Sequence, residues 1–118
     1  RSSSSAASDV YKRQVDIHYD FLVENGIDCL TWKFLKLPSL NQASVEISKQ
    51  PNHRLIWLSR IEHELSDNRG FVKRIDHGIF KNVSTDLDSE NYRFILDGEL
   101  LSGLFEISAN SCRLSKNF

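Results

Sequence analysis

The sequence predicts an all-β domain, a small closed or nearly closed β-barrel of about seven or eight short strands with little helix. Three observations carry this. Segments rich in aromatic and β-branched residues recur along the chain, turn signals separate them roughly every 8–12 residues, and no amphipathic helical pattern longer than about ten residues is present. The chain has 118 residues, 40% hydrophobic and 26% charged, with a mean hydropathy of −0.38, which suits one globular domain. Closing the sheet removes exposed strand edges, an advantage for so short a chain.

The elements follow in order. Residues 17–24 (IHYDFLVE) have strand composition, and Asn25-Gly26 then supplies a turn dipeptide that tolerates positive φ. Residues 28–35 (DCLTWKFL) are the return strand, and residues 36–43, with Pro38, are a loop. Residues 44–49 (SVEISK) alternate polar and apolar, as a half-buried strand does. Residues 54–63 (RLIWLSRIEH) begin as a continuous apolar run and read as a strand buried on both faces. Helix is the rival, because Leu55, Leu58 and Ile61 also fall at helical spacing. After the turn cluster SDNRG, residues 71–76 and 78–83 are two further short strands, and residues 85–91 are a polar loop. Residues 92–96 and 99–107 flank Asp97-Gly98, a second hairpin signal. The tail at residues 109–118 has no clear period and is expected to be partly disordered.

Residues 1–14 are set apart. The chain begins with Arg1 and contains no Met, and residues 4–14 (SSAASDVYKRQ) back-translate codon by codon to a transposase-type sequencing adapter. They read as a translated artefact preceding a gene whose start is missing, and are expected to form an exposed tail and no barrel strand. Removing Arg1, Lys12, Arg13 and Asp9 leaves 12 basic against 15 acidic residues, so any DNA binding must use a local patch. No apolar run reaches the roughly 18 residues a membrane helix needs. Cys29 and Cys112 have no metal-ligand spacing and read as free thiols of a reducing, cytoplasmic compartment.

No P-loop, nucleophile elbow or paired-cysteine zinc signature is present. The chemistry-bearing residues are few. His18 and Asp20 stand two apart on a predicted strand and therefore share a face, where one nitrogen and one oxygen donor suit Mn²⁺, Fe²⁺ or Zn²⁺. A surface pair is the plainer interpretation of the same spacing. His53 precedes an apolar strand, Lys36 lies in the Pro38 loop, and Trp32 and Trp57 suit core or barrel-rim positions. His63 and His77 fall near turns and receive no role.

The longer string carries more. His18-Tyr19-Asp20-Phe21 is followed by Glu24, Thr31-Trp32, Lys36, Pro38-Ser39 and His53-Arg54-Leu55, then by Asp76-His77-Gly78 with Phe80, and by Leu96-Asp97-Gly98-Glu99 with Leu101, Gly103 and Phe105. In order and spacing, residues 16–108 resemble the 3′-phosphoesterase domain of bacterial DNA ligase D, most of all its short stand-alone relatives. The resemblance implies a compact barrel binding Mn²⁺, or another divalent transition metal, in a crescent-shaped groove. It implies removal of a 3′-ribonucleotide or 3′-phosphate from DNA ends in double-strand break repair. Its site residues map to His18 and Asp20 as metal ligands, His53 and Lys36 as catalytic residues, and Trp57 at a substrate-binding tyrosine position, with Arg69 as a substitute cation. The implied partners are DNA 3′ ends and ligase or polymerase repair proteins, with a monomer and no membrane. Several family features are altered. The first metal histidine, six residues before His18, is Lys12, and the phosphate-gripping arginine is Leu22. The same barrel would also serve as a non-catalytic module binding DNA ends or proteins.

Overall fold

A computed structural model describes residues 6–13, 18–59, 62–64, 71–84 and 91–116. Among them, ten strands form one antiparallel sheet: β1 (Ala6–Arg13), β2 (Tyr19–Asn25), β3 (Asp28–Phe34), β4 (Val45–Glu46), β5 (Ser48–Arg54), β6 (Glu62–Glu64), β7 (Phe71–Asn82), β8 (Asn91–Asp97), β9 (Ser102–Ser108) and β10 (Ser111–Ser115). The sheet order is β4-β10-β9-β8-β7-β1-β2-β3-β5, with β6 pairing on β7. β4 and β5 hold the two ends of this order, yet only Ile47 separates them in the chain. The sheet is thus curled into a nearly closed barrel, as its sequence predicts. Ile47 donates its N–H to the Asn110 carbonyl at 2.8 Å, pinning the corner where the chain leaves β10 and joins β3.

Alternation fills the interior. Phe21 and Val23 of β2, Trp32 and Phe34 of β3, Phe94 and Leu96 of β8, Phe105 and Ile107 of β9, and Cys112 and Leu114 of β10 all point inward and are buried. Phe21 meets Phe105 edge-on at 5.0 Å between ring centroids, and Trp32 and Phe80 meet Phe94 at 5.9 and 5.4 Å. Position 26 takes the only positive φ of the first hairpin, +76°, so the two loop residues are Gly26 and Ile27, while Asn25 pairs with Asp28. A positive φ at the first loop residue is the arrangement of a II′ turn.

Several expectations are corrected. Residues 6–13, read as part of an exposed tail, form β1 between β2 and β7, with Val10 in the core. Their Ser-Asp-Val-Tyr-Lys pattern tolerates a strand, and without them β2 and β7 would each leave an edge open. Residues 54–63 are not one strand. Arg54 ends β5, a 3₁₀ turn follows at Leu55–Ser59, and β6 begins at Glu62. The barrel interior is already filled, so Trp57 and Leu58 pack on its outer surface against Leu22 and Cys29, while Ile56 stays exposed. The two strands expected at residues 71–76 and 78–83 are one, β7 (Phe71–Asn82), because Gly78 supplies a close backbone approach and no break. Residues 98–101 are a loop, so β9 starts at Ser102. The tail forms β10, entered through Ala109 at φ +53°, a left-handed conformation that alanine does not advertise. Pro51 lies within β5, opposite the register shift between Cys29 and Thr31, where a proline costs no ladder bond.

Cys29 and Cys112 are both free and buried. Burial pushes each thiol from 9.0 up to about 12. Carboxylates at Asp28, Asp9 and Glu24 add to the effect at Cys29. Each folded-state pKa lies above its unfolded value. The stabilisation is therefore complete below about pH 9 and is lost as pH rises toward 12. Urea midpoints should fall between pH 8 and pH 10.5, and both thiols should resist a disulfide reagent in folded protein at pH 8.

Candidate functional site

Residues paired directly across an antiparallel ladder share a face. Phe21 and Val23 mark the inner face of β2, so His18, Asp20, Leu22 and Glu24 belong to its outer face. The ladder extends this face across β1 and β3, pairing Asp9 with Leu22 and Leu22 with Thr31, then Asp20 with Lys33 and Glu24 with Cys29. Across β3 lies β5, where Ser48 pairs with Lys33 and His53 with Cys29.

The predicted metal pair is brought together. His18 Nε2 lies 3.4 Å from Asp20 Oδ1, with side chains only 9% and 11% exposed. Two donors each about 2.1 Å from one cation, at a tetrahedral angle, are separated by roughly 3.4 Å, so the spacing fits a shared divalent ion. The donors are a borderline imidazole and a hard carboxylate, as such an ion requires. Among the described residues, no group of three or more His, Cys, Asp or Glu side chains stands together. A metal here would complete its coordination with water and substrate oxygens.

The other predicted residues are spread out. His53 lies on the same face but opposite Cys29 and Glu24, six residues along β2 from His18. At about 3.4 Å per residue that is roughly 20 Å, so the ladder does not bring His53 to the pair, against the expectation of one cleft. It lies in β5, one residue before its end, and does not precede a strand; its Nδ1 is 3.2 Å from the Pro51 carbonyl and its ring meets Trp57 edge-on at 6.2 Å. Trp57 packs with Leu58 on Leu22 and Cys29 and is not a free substrate platform. Lys36 is exposed in the loop after β3, beside a shallow cavity of about 490 Å³ that Leu40 and Ser44 also line. Arg69 and the turn around it lie outside the described residues. Lys12 pairs with Tyr19, on the row that faces the core, and position 11 takes the place across from Asp20.

Leu22, at the position where the resemblance leads one to expect an arginine, is 1% exposed beneath Trp57 and Leu58. An arginine there would bury a charge against apolar neighbours. Leu22→Arg should therefore cost about 3 kcal/mol in urea unfolding and add no phosphate affinity.

Sequence reasoning missed a second polar cluster. Asp9, its side chain fully buried, lies 2.6 Å from His77 Nδ1 and 3.6 Å from the Arg74 guanidinium. Arg74 also donates to the Leu58 carbonyl at 3.4 Å, tying β7 to the 3₁₀ turn. Only the β1–β7 register, with Asp9 opposite His77, reveals this contact. Searched against protein-family models and against curated proteins, the chain matches none.

Proposed function

We propose that this chain is a metal-dependent 3′-phosphoesterase-like domain that processes DNA 3′ ends, removing a 3′-phosphate or 3′-ribonucleotide in double-strand break repair. The observation that carries the reading is the His18–Asp20 pair, 3.4 Å apart on the outer face of β2. The motif resemblance across residues 16–108 and the barrel that holds it support the same reading.

In this reading His18 Nε2 and an Asp20 carboxylate oxygen hold the ion, with Mn²⁺ the preferred occupant. A bound divalent ion offsets phosphate charge and lowers the pKa of a coordinated water. The low exposure of both side chains strengthens their hold on charge by excluding competing solvent. Lys36 supplies positive charge from the adjoining loop, and His53, roughly 20 Å along the strand, takes no part in the chemistry.

A second reading, a non-catalytic module binding DNA ends or proteins, is favoured by one observation: Leu22 and its cover of Trp57 and Leu58 fill the flank where a phosphate-gripping arginine would stand. One assay separates the two. With Mn²⁺ and a 3′-phosphorylated oligonucleotide, the enzyme releases inorganic phosphate; the module binds the oligonucleotide and releases none.

A further inference from the structure

Only one Lys or Arg stands on the outer rows of β2, β3 and β5. Those rows are His18, Asp20, Leu22 and Glu24; Cys29, Thr31 and Lys33; and Ser48, Gln50 and His53. Lys33 is directly opposite Asp20, which sets their Cβ atoms about 5 Å apart. Lys33 is half-buried, and its ammonium makes no hydrogen bond or ion pair with any described residue. A cation of β7, Arg74, is already committed to Asp9 and the Leu58 carbonyl.

Lys33 also opens onto space. It lines a groove of about 290 Å³ with Phe34, Leu35, Glu46, Ile47 and Ser48, at the corner between β4 and β5, the two end strands of the nearly closed sheet. Glu46 on the far rim is the groove's one carboxylate and would repel an anion from that side. The Asp20 side is where positive charge is concentrated once a divalent ion is held there. A half-buried lysine with no partner among the described residues, beside the carboxylate proposed to hold the metal and at the mouth of a groove, is arranged for an anion supplied from outside.

We infer that Lys33 grips the terminal phosphate of a DNA 3′ end, supplying from β3 the cation that Leu22 does not supply from β2. This rests on the function proposed above and names the residue that recognises its substrate. The lysine donates up to three hydrogen bonds to phosphate oxygens and carries charge that the ester's 3′-hydroxyl counterpart does not engage.

The test is equilibrium binding of fluorescein-labelled single-stranded oligonucleotides ending in 3′-phosphate or 3′-hydroxyl. It is read by anisotropy with Ca²⁺ in place of Mn²⁺, and the 3′ end is checked for integrity after each titration so that turnover does not enter. Wild-type protein should prefer the 3′-phosphate. Lys33→Gln should lose that preference by about 5-fold or more and lower the salt dependence by about one counterion, and Lys33→Arg should retain it. Unchanged melting of each variant shows that the fold is intact. An unaltered preference in Lys33→Gln, an equal loss for both oligonucleotides, or no preference in the wild type overturns the inference. Phosphate release with Mn²⁺ is measured in parallel. Asp20-dependent release with a Lys33-independent preference rejects Lys33 alone; a Lys33-dependent preference without release rejects the enzyme alone.

Discussion

Asp76→Ala should cost the barrel about 4 kcal/mol, as much as truncating a buried core side chain. The Asp76 carboxylate is 7% exposed and accepts three backbone N–H groups. Oδ1 takes those of His77 and Glu99 at 2.9 and 2.8 Å, and Oδ2 takes that of Leu101 at 2.8 Å. Hydrogen bonds to a charged acceptor contribute about 1.5–3 kcal/mol each, and truncation strands the donors without a replacement. The four-residue loop between β8 and β9 is built on this carboxylate, and Gly98 N–H closes it on the Leu101 carbonyl at 3.0 Å. Leu101, 2% exposed, then enters the core.

Two glycines are fixed by the same node. A Cβ at Gly98 would lie 2.7 Å from Asp76 Oδ2, and one at Gly78 would lie 2.2 Å from the Asp97 carbonyl oxygen and 2.7 Å from Gly98 Cα. The neighbours of Gly78 are backbone and cannot swing aside, so Gly78→Ala should cost about 3 kcal/mol. For a domain of this size, losses of 3–4 kcal/mol lower the melting temperature by roughly 12–16 °C. Asp76→Asn keeps one carbonyl acceptor and should lose about half as much as Asp76→Ala. Thermal and urea melts check these values; a loss below about 1 kcal/mol in Asp76→Ala would show that the loop is held by something else.

This node also shows what the sequence makes legible. Asp76, Gly78, Asp97, Gly98 and Leu101 stand out as a motif, and what the structure makes of them is a joint of the fold. The first hairpin is visible because the positive φ at Gly26 has a residue-type signature, whereas Gly98 is glycine because a Cβ there would meet the Asp76 carboxylate. The turn at Ala109 has none, which is why β10 reads as a loose tail. The apolar run at residues 54–59 is ambiguous because period alone does not say which side of the sheet is free; the 3₁₀ turn takes the outer side since aromatic rings already occupy the inner one. β1 escapes because strand pairing depends on neighbouring edges as well as on a segment's own composition.

The candidate site divides along the same line. Two residues of one strand, His18 and Asp20, are placed on a common face by a period of two, and the structure brings them to 3.4 Å. Residues on different strands depend on register. Had Asn25 and Gly26 been the two loop residues, Asp20 would face Thr31; with Gly26 and Ile27 in the loop it faces Lys33. A bulge and a register shift in β5 likewise set His53 across from Cys29, far from the pair it was expected to join.

The largest functional effect is expected at Asp20. If the pair holds the ion, Asp20→Ala removes its only charged donor and leaves a single imidazole. Phosphate release from a 3′-phosphorylated oligonucleotide should fall by about 100-fold or more, and His18→Ala should fall comparably. Asp20→Asn keeps the shape and an oxygen donor but loses the charge, and should fall in between.

The most direct measurement is Mn²⁺ binding itself, followed by the loss of the free-ion electron paramagnetic resonance signal during titration of the intact chain. The wild type should take up one Mn²⁺, with the affinity reduced at least about 10-fold in Asp20→Ala and in His18→Ala. No uptake by the wild type, or equal uptake by wild type and both variants, would contradict a metal held by His18 and Asp20.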